Sequence, residues 1–297
     1  PSVHSSPNIP TDIFAADLNG DGKPDLITTQ AGSNAISVFL NDGNGNFPAG
    51  PSATYLTAGS TTSVVTGDFN EDGRQDIASG NCGNNPDPPQ TPTPSSVSVF
   101  FNQGGGTFGP HVDYQIPACP DSLGRLIAIP NSLFSLVVSY GQSTITILQN
   151  NGSGIFTERT ITGPTGSILR GVSTGDYNGD SRDDVAAIME TPGSSVQQVV
   201  IFYQQADGSF GPATNVFSMS AILRAATTVA FNATGRPDLL VPFLEATGEP
   251  PGVLALANQG GGVFSSIKLH VDPQYFMGTK AAEGDFRGMA STALLCL

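Results

Sequence analysis

Residues 14–29 read FAADLNGDGKPDLITT: a short apolar run, an acidic loop, then a second apolar run. The loop has the form Asp-x-Asn-x-Asp-Gly-x-x-Asp, with Asp17, Asn19, Asp21 and Asp25 at positions 1, 3, 5 and 9. It recurs as VTGDFNEDGRQDIAS at 65–79, with Asp68, Asn70, Asp72 and Asp76. A third copy, STGDYNGDSRDDVAAI at 173–188, has Asp176, Asn178, Asp180 and Asp184. Hard oxygen donors at positions 1, 3 and 5 of a tight loop suit a cation of calcium size. Gly22 and Gly73 at position 6 permit the sharp turn, while Ser181 takes that place in the third copy. The backbone carbonyls of Lys23, Arg74 and Arg182 at position 7 are expected to complete each wrap. The expectation is therefore about three Ca²⁺ ions. An EF-hand needs an acid at position 12 and a following helix. Position 12 here is Thr28, Ser79 or Ala187, and strand-like residues follow. Ordinary Asp/Asn turns explain one such loop, but three in-register copies, each leading into a strand, favour metal.

Working outward, a second block follows each loop: apolar strand, Asn or Gln, Gly-rich turn, Phe. It occurs as ISVFLNDGNGNF (36–47), VSVFFNQGGGTF (97–108), ITILQNNGSGIF (145–156), VVIFYQQADGSF (199–210) and VLALANQGGGVF (253–264). Each reads as a β-hairpin. Decayed loop blocks appear as TVAFNATGRPDLLV (228–241) and AEGDFRGMASTALLC (282–296), and IAIPNSLFSLVVS (127–139) keeps the strands but none of the acids. Loop starts at 17, 68, 127, 176, 230 and 285 give a period of roughly 50–60 residues, with four strands per repeat. This predicts an all-β chain: a single β-propeller over 1–297 built of four-stranded antiparallel blades. The repeats run 11–60, 61–119, 120–168, 169–222, 223–277 and a partial 278–297, giving a six- or seven-bladed ring with an incomplete last blade. Residues 1–10 are a candidate outer strand for that blade. Alternating strand direction puts the acidic loops and C–D turns on one face, and the B–C turns on the other.

DLNGDGKPDL, DFNEDGRQDI and DYNGDSRDDV resemble the calcium loops of FG-GAP/VCBS repeats, found in integrin α-subunit propellers and many bacterial surface proteins. Phe108-Gly109-Pro110 and Phe210-Gly211-Pro212 resemble the FG element. The resemblance covers nearly the whole chain and implies a seven-bladed propeller with calcium in loops on one face. The chain departs from it in showing about six repeats, three of them with depleted loops. The fifth keeps Asn232 and Asp238 but has Ala230 and Thr234 in place of acids, and Asp285 stands alone in the sixth.

The net charge of −14 and pI near 4.3 argue against nucleic acid, whose phosphates need a basic face. No apolar run reaches the length of a membrane span. Charged residues are only 12%, so the surface is rich in Ser, Thr, Asn, Gln and Gly, a tendency of secreted or cell-surface proteins. Of three cysteines, Cys82 and Cys119 flank a Pro-rich insertion and are a disulfide candidate, with two buried thiols as the alternative. Gly104, Gly106 and Gly109 match GxGxxG, but inside a hairpin turn with no helix after it. His4, His111 and His270 fall at unrelated repeat positions with no hydrolase motif beside them. Asn151 and Asn232 begin glycosylation sequons. No catalytic residues are assigned. Insertions at 81–96, 190–196 and 245–252 all lie in B–C turns, where a binding surface is expected. The expected function is a calcium-stabilised, non-enzymatic, extracellular or cell-surface adhesion module holding a protein or glycan there. A lectin is the alternative, disfavoured by the absence of Trp, and a propeller-type polysaccharide-degrading enzyme is the second alternative.

Overall fold

The computed structural model describes residues 10–30, 34–83, 93–128, 133–224, 226–231, 235–245 and 251–270. The sixth repeat, residues 1–9, most of the Pro-rich insertion and Asn232 lie outside them. No helix occurs among the described residues, and none is long and apolar enough to cross a membrane.

The first sheet is β1 (Pro10–Ala16), β2 (Asp25–Gln30), β3 (Ala35–Phe39) and β4 (Ala53–Leu56). The second comprises β5 (Ser60–Gly67), β6 (Asp76–Cys82), β7 (Ser96–Phe100) and, beyond the small ladder β8 (Asn102–Gly104) with β9 (Thr107–Phe108), β10 (Val112–Gln115). The third is β11 (Ser122–Ala128), β12 (Leu133–Ser139), β13 (Thr144–Asn150) and β14 (Phe156–Thr162). The fourth is β15 (Ile168–Gly175), β16 (Asp184–Glu190), β17 (Gln197–Phe202) and β18 (Thr214–Met219). The fifth has its first strand broken into β19 (Ala221–Leu223) and β20 (Thr227–Val229), both paired with β21 (Asp238–Glu245), followed by β22 (Gly252–Gly260) and β23 (Val263–His270). Strands follow sequence order across every sheet. Each is the four-step meander expected of one blade, and we call them blades 1 to 5, their strands A to D. Within a blade, antiparallel alternation places the A–B loop and the C–D turn at one end and the B–C connection at the other.

Strands β3 and β7 are buried on both faces, and their non-apolar positions are small buried serines, Ser37, Ser96 and Ser98. Every residue of β3 and β7 is buried, whereas the outer β4 alternates between half-buried and exposed. The chain divides into two compact units: one runs to Arg125 and adds Leu133–Tyr140 and Thr146–Arg159, and the other holds the remainder. In the first unit, Leu18, Ile27, Ile36 and Val38 of blade 1 pack with Ile77, Phe100 and Phe108 of blade 2. On its other face, blade 2 presents Val65, Phe69, Val97 and Val99 to Leu136, Leu148 and Phe156 of blade 3. In the second unit, Tyr177, Ile188 and Ile201 of blade 4 pack with Leu239, Val241, Leu254 and Leu256 of blade 5. A single blade has two apolar faces, so stacking is the only way to remove both from water.

Cys82 and Cys119 are joined by a disulfide, with Cα atoms 4.4 Å apart and 37 residues of separation. The bond ties the end of β6 to the segment after β10, so it closes the loop that carries the Pro-rich insertion. Such a bond stabilises mainly by removing freedom from the unfolded chain.

Candidate metal loops and the blade junctions

The three acidic loops fill the A–B connections of blades 1, 2 and 4, between β1 and β2, β5 and β6, and β15 and β16. Their hydrogen bonds repeat almost atom for atom. The position-1 carboxylate accepts from the position-6 N–H through Oδ2 at 2.8 Å in all three, from Gly22, Gly73 and Ser181. Its Oδ1 accepts from the position-5 N–H of Asp21, Asp72 and Asp180. The Asn at position 3 accepts from that same N–H, and its amide donates to the position-5 carboxylate. Position 5 in turn accepts from the N–H of Lys23, Arg74 and Arg182. The loop is thus wound around its own side-chain oxygens.

This winding needs positive φ at two places. Position 6 was legible as Gly22 (φ 80°) and Gly73 (φ 83°). Position 4 was not: Gly20 and Gly179 fill it in loops 1 and 4, but Glu71 adopts φ 60° in loop 2. Ser181 holds φ 66° at position 6 of loop 4. A non-glycine side chain there is held against its steric preference, by roughly 1 kcal/mol. Ser181→Gly should therefore raise stability by about 0.5–1 kcal/mol, read as a shift of the urea midpoint at unchanged slope. A lower midpoint would show that the serine is not strained.

The arginines at position 7 bridge the loop to the C–D turn of the same blade. Arg74 Nε donates to the Asn102 carbonyl at 2.8 Å while its guanidinium pairs with Asp72. Arg182 does the same with the Gln204 carbonyl and Asp180. Arg236 of blade 5 reaches the Gln259 carbonyl at 2.9 Å.

The position-9 acids differ in kind from the others. Asp25, Asp76, Asp184 and Asp238 are fully buried. Each accepts through Oδ2 from the N–H at position 2 of its loop: Leu18, Phe69, Tyr177 and Phe231, at 2.9–3.1 Å. Each accepts through Oδ1 from the N–H of the hairpin-block amide residue: Asn41, Asn102, Gln204 and Asn258, at 2.8–2.9 Å. The carboxylate therefore pins loop to turn. In blade 3, where the acids are gone, buried Ser135 falls at position 9 and its hydroxyl takes the N–H of Asn150 at 3.1 Å. Burial raises the Asp76 carboxyl to about 6, against lowering by the Asn102 and Phe69 N–H groups, with a smaller push from Asp72 and Asp68. Burial likewise lifts Asp184 to about 7, with repulsion from Asp180 and Asp176 added.

The hairpin-block amide does more than shape its turn, and this was missed in the sequence. Asn102 Nδ2 donates to the Leu18 carbonyl of the preceding blade at 2.8 Å and to Gln75 at 2.9 Å. Asn150 reaches back to Phe69 at 2.7 Å and to Phe134 at 3.0 Å. Asn258 reaches back to Tyr177 at 2.9 Å and to Pro237 at 3.1 Å. The signal was present: an Asn or Gln at one fixed place before every Gly-rich turn. Its long-range partner was not. Asn150→Ala strips buried carbonyls of both donors and should cost about 1–3 kcal/mol in urea unfolding. A change below about 0.5 kcal/mol would mean that water replaces the amide.

An FG-GAP-like repeat family model matches residues 7–79 and 134–187. Those two stretches match FG-GAP-like repeats. A solved structure described as "Structure of Dos1 propeller" is similar over 95% of this chain, with a TM-score of 0.52 and 9% identity. The chain spans 64% of that chain's length. No curated protein matches it in sequence. Repeat, four-stranded antiparallel sheets and structural likeness together make the fold a β-propeller.

In chemistry, the FG-GAP-like loops of blades 1, 2 and 4 offer carboxylate and amide oxygens, a hard donor set of the kind calcium takes. The oxygens that would serve are those of Asp17, Asn19, Asp21, the Lys23 carbonyl and Asp25, with their equivalents in the other two loops. Among the described residues, no group of three or more Asp, Glu, His or Cys side chains is arranged as a metal cluster. Within each loop, the acids point largely at backbone N–H groups.

Proposed function

We propose that this protein is a non-catalytic binding module, adhesive in type, that works outside the cell with calcium in the loops of blades 1, 2 and 4. The observation that carries this reading is the identity of the three loops. Three separate stretches share acid spacing, backbone sign and hydrogen bonds. Selection for a turn alone does not require three acids in each. The repulsion felt by Asp76 and Asp184 from the other acids of their loops is the kind a cation would relieve. The bound ion would supply charge neutralisation and rigidity, with no part in any reaction. The disulfide and the low content of charged residues favour an oxidising, extracellular setting.

The ligand surface we favour is the set of B–C connections, away from the acidic loops of each blade. Residues 191–196 join β16 to β17, and residues 246–251 join β21 to β22, both longer than a tight hairpin requires. A protein or glycan held there would be read by loops on a rigid frame. Isothermal titration of chelator-treated protein with calcium tests the metal half: we expect about three sites of ~10⁻⁴ M. No heat and no change in melting would end the calcium reading. Glycan and matrix-protein arrays, probed with the protein and with a variant shortened across 191–196, test the binding half. Equal binding by both would move the ligand elsewhere.

A further inference from the structure

Strand A changes register against strand B at one recurring place. In blade 1 the shift falls between Pro10 and Asp12, in blade 2 between Thr61 and Ser63, and in blade 4 between Arg170 and Ser173. In blade 5 a shift of the same size separates β19 from β20. A bulge of this kind re-aims the side chains that it carries. The residue six places before the first loop position sits at this shift, and its identity divides the blades. Blades 1 and 2 have threonines there, and their hydroxyls bond inside the fold: Thr11 with Thr29 and the Thr61 carbonyl, Thr62 with the Gly80 carbonyl. Asp121 of blade 3 takes the Ser139 hydroxyl. Blades 4 and 5 have Arg170 and Arg224.

Both arginines belong to the second unit, and their strands lie side by side. The Gly171 carbonyl accepts from the Ala226 N–H at 3.4 Å, and the Thr174 carbonyl accepts from the Thr228 hydroxyl at 2.7 Å. Gln197, the first residue of β17, links the two places. Its Oε1 takes the Leu223 N–H at 2.6 Å, and its amide donates to the Glu190 carboxylate at 3.3 Å. Glu190 in turn faces the Arg170 guanidinium at 3.4 Å, and the arginine side chain stays 44% exposed. Arg224 is exposed and, among the described residues, its side chain has no partner. Val196 and Ile222, 39% and 48% exposed, add apolar surface next to Gln197 and Leu223. This is the B–C end of blades 4 and 5, where the connection 191–196 emerges. Arg182 and Arg236 sit at the opposite end, bonded to turn carbonyls. The B–C end is not a basic field, since Glu190 and Glu245 close β16 and β21 there.

We infer that Arg170 and Arg224 form a binding site for the carboxylate of a single acidic sugar at the end of a glycan. The inference rests on the ligand face proposed above and names the class of ligand that this face takes. A guanidinium presents a fixed fork of donors that matches a carboxylate, and Glu190 shows one already held at Arg170. The ligand's carboxylate would take the place beside Arg170 and Arg224 that Glu190 fills in part. The net charge of −14 repels a polyanion at long range, so a ligand with one acid at its tip is favoured over a polymer of acidic sugars or an acidic peptide. Val196 and Ile222 offer a surface to the C–H face of a sugar ring, and the exposed hydroxyls of Thr191 and Ser195 offer partners to its OH groups. The site holds the sugar and makes or breaks no bond.

The probe is 3′-sialyllactose, a trisaccharide that ends in a carboxylated sugar, with lactose as its uncharged match. Each is titrated into the intact protein and followed by saturation-transfer NMR. The acidic trisaccharide should bind at least about tenfold more tightly than lactose, the worth of one charge-assisted hydrogen bond. Arg170→Gln and Arg224→Gln alter side chains that are largely exposed, so both variants should melt as the parent does. Each should weaken binding by about tenfold, and the double variant should not bind. Glu190→Gln releases Arg170 from its internal partner and should tighten binding. Equal binding of the two sugars, a double variant that binds as the parent does, or no binding at about 10 mM probe overturns the inference. Equal affinity for the peptide acetyl-Gly-Glu-Gly-amide also overturns it, because any carboxylate would then suffice. The proposed ligand face is judged separately, by whether shortening residues 191–196 changes binding to the arrays.

Discussion

Asp238→Ala should unfold about 2–5 kcal/mol more readily than the parent while its stabilisation by calcium stays the same. The carboxylate is fully buried, and its two oxygens take the N–H groups of Phe231 and Asn258. Alanine leaves both donors buried without an acceptor, at about 1–3 kcal/mol each. Asn at this position should recover only part of the loss. An amide has one acceptor oxygen, so its NH₂ faces one of the two backbone N–H groups. Only a carboxylate accepts on both sides. The equivalent Asp184→Ala should destabilise by a similar amount and also reduce the calcium response, because loop 4 retains its other acids. Urea unfolding of both variants, with and without calcium, checks the pair. A loss under 1 kcal/mol for Asp238→Ala would show that the pin is dispensable.

Calcium should raise the melting temperature, and the rise should grow with pH. With a Kd of ~10⁻⁴ M and millimolar calcium, each loop gains about 1.4 kcal/mol, or about 4 kcal/mol for three. For a domain of this size, that corresponds to roughly 6 °C. The pH dependence follows from Asp76 and Asp184, whose carboxyls stand at about 6 and about 7 in the folded chain against 3.8 for an unperturbed aspartate. A pKa raised by folding means that the folded state holds the proton more tightly. The associated stability is complete below the unfolded value of 3.8 and disappears as pH rises through 6 and 7. In chelator, melting temperature should therefore fall between pH 5 and pH 8. A bound cation favours the ionised carboxylates, so calcium should flatten or reverse that slope. A melting temperature indifferent to EDTA at matched ionic strength, at every pH, would remove calcium from the account.

The repeat made the fold legible. Strand, Asp-rich loop, strand, Gly-rich turn and Phe recur in one order, and each local signal names the same element whenever it appears. Inner-strand boundaries followed too, because Gly and Asn mark turns for reasons of backbone sign that act locally; the outer strands, expected to open at the Phe after the Gly-rich turn, instead begin later in blades 1, 2 and 4, at Ala53, Val112 and Thr214. The broken first strand of blade 5 was not legible, since nothing in residues 221–229 forces two pieces; their register against β21 does.

The loops were legible as oxygen-rich turns, but the division of labour inside them was not. Sequence treats the four Asp and Asn positions alike. Burial separates them. Positions 1, 3 and 5 face the loop's own backbone, while position 9 also accepts from an N–H 16 to 26 residues further along the chain. The survival of Asp238 in a loop that has lost its other acids was the hint, and it acquires meaning only with the Asn258 N–H beside it. The hairpin Asn is the same case. Its partner lies 81 to 84 residues away, and no local pattern carries that distance.

What the sequence determined by itself is everything encoded at short range: an all-β chain, a repeat of about four strands, turns set by Gly and Asn, and three loops with calcium-like donors. Tertiary structure decided which polar groups are buried, because burial depends on the neighbouring blade. Asp76, Asn150 and Phe69 acquire their roles only when a second sheet removes them from water. Phe231, chemically equivalent to Phe69 and at the same loop position, is left open where no such sheet lies against it among the described residues.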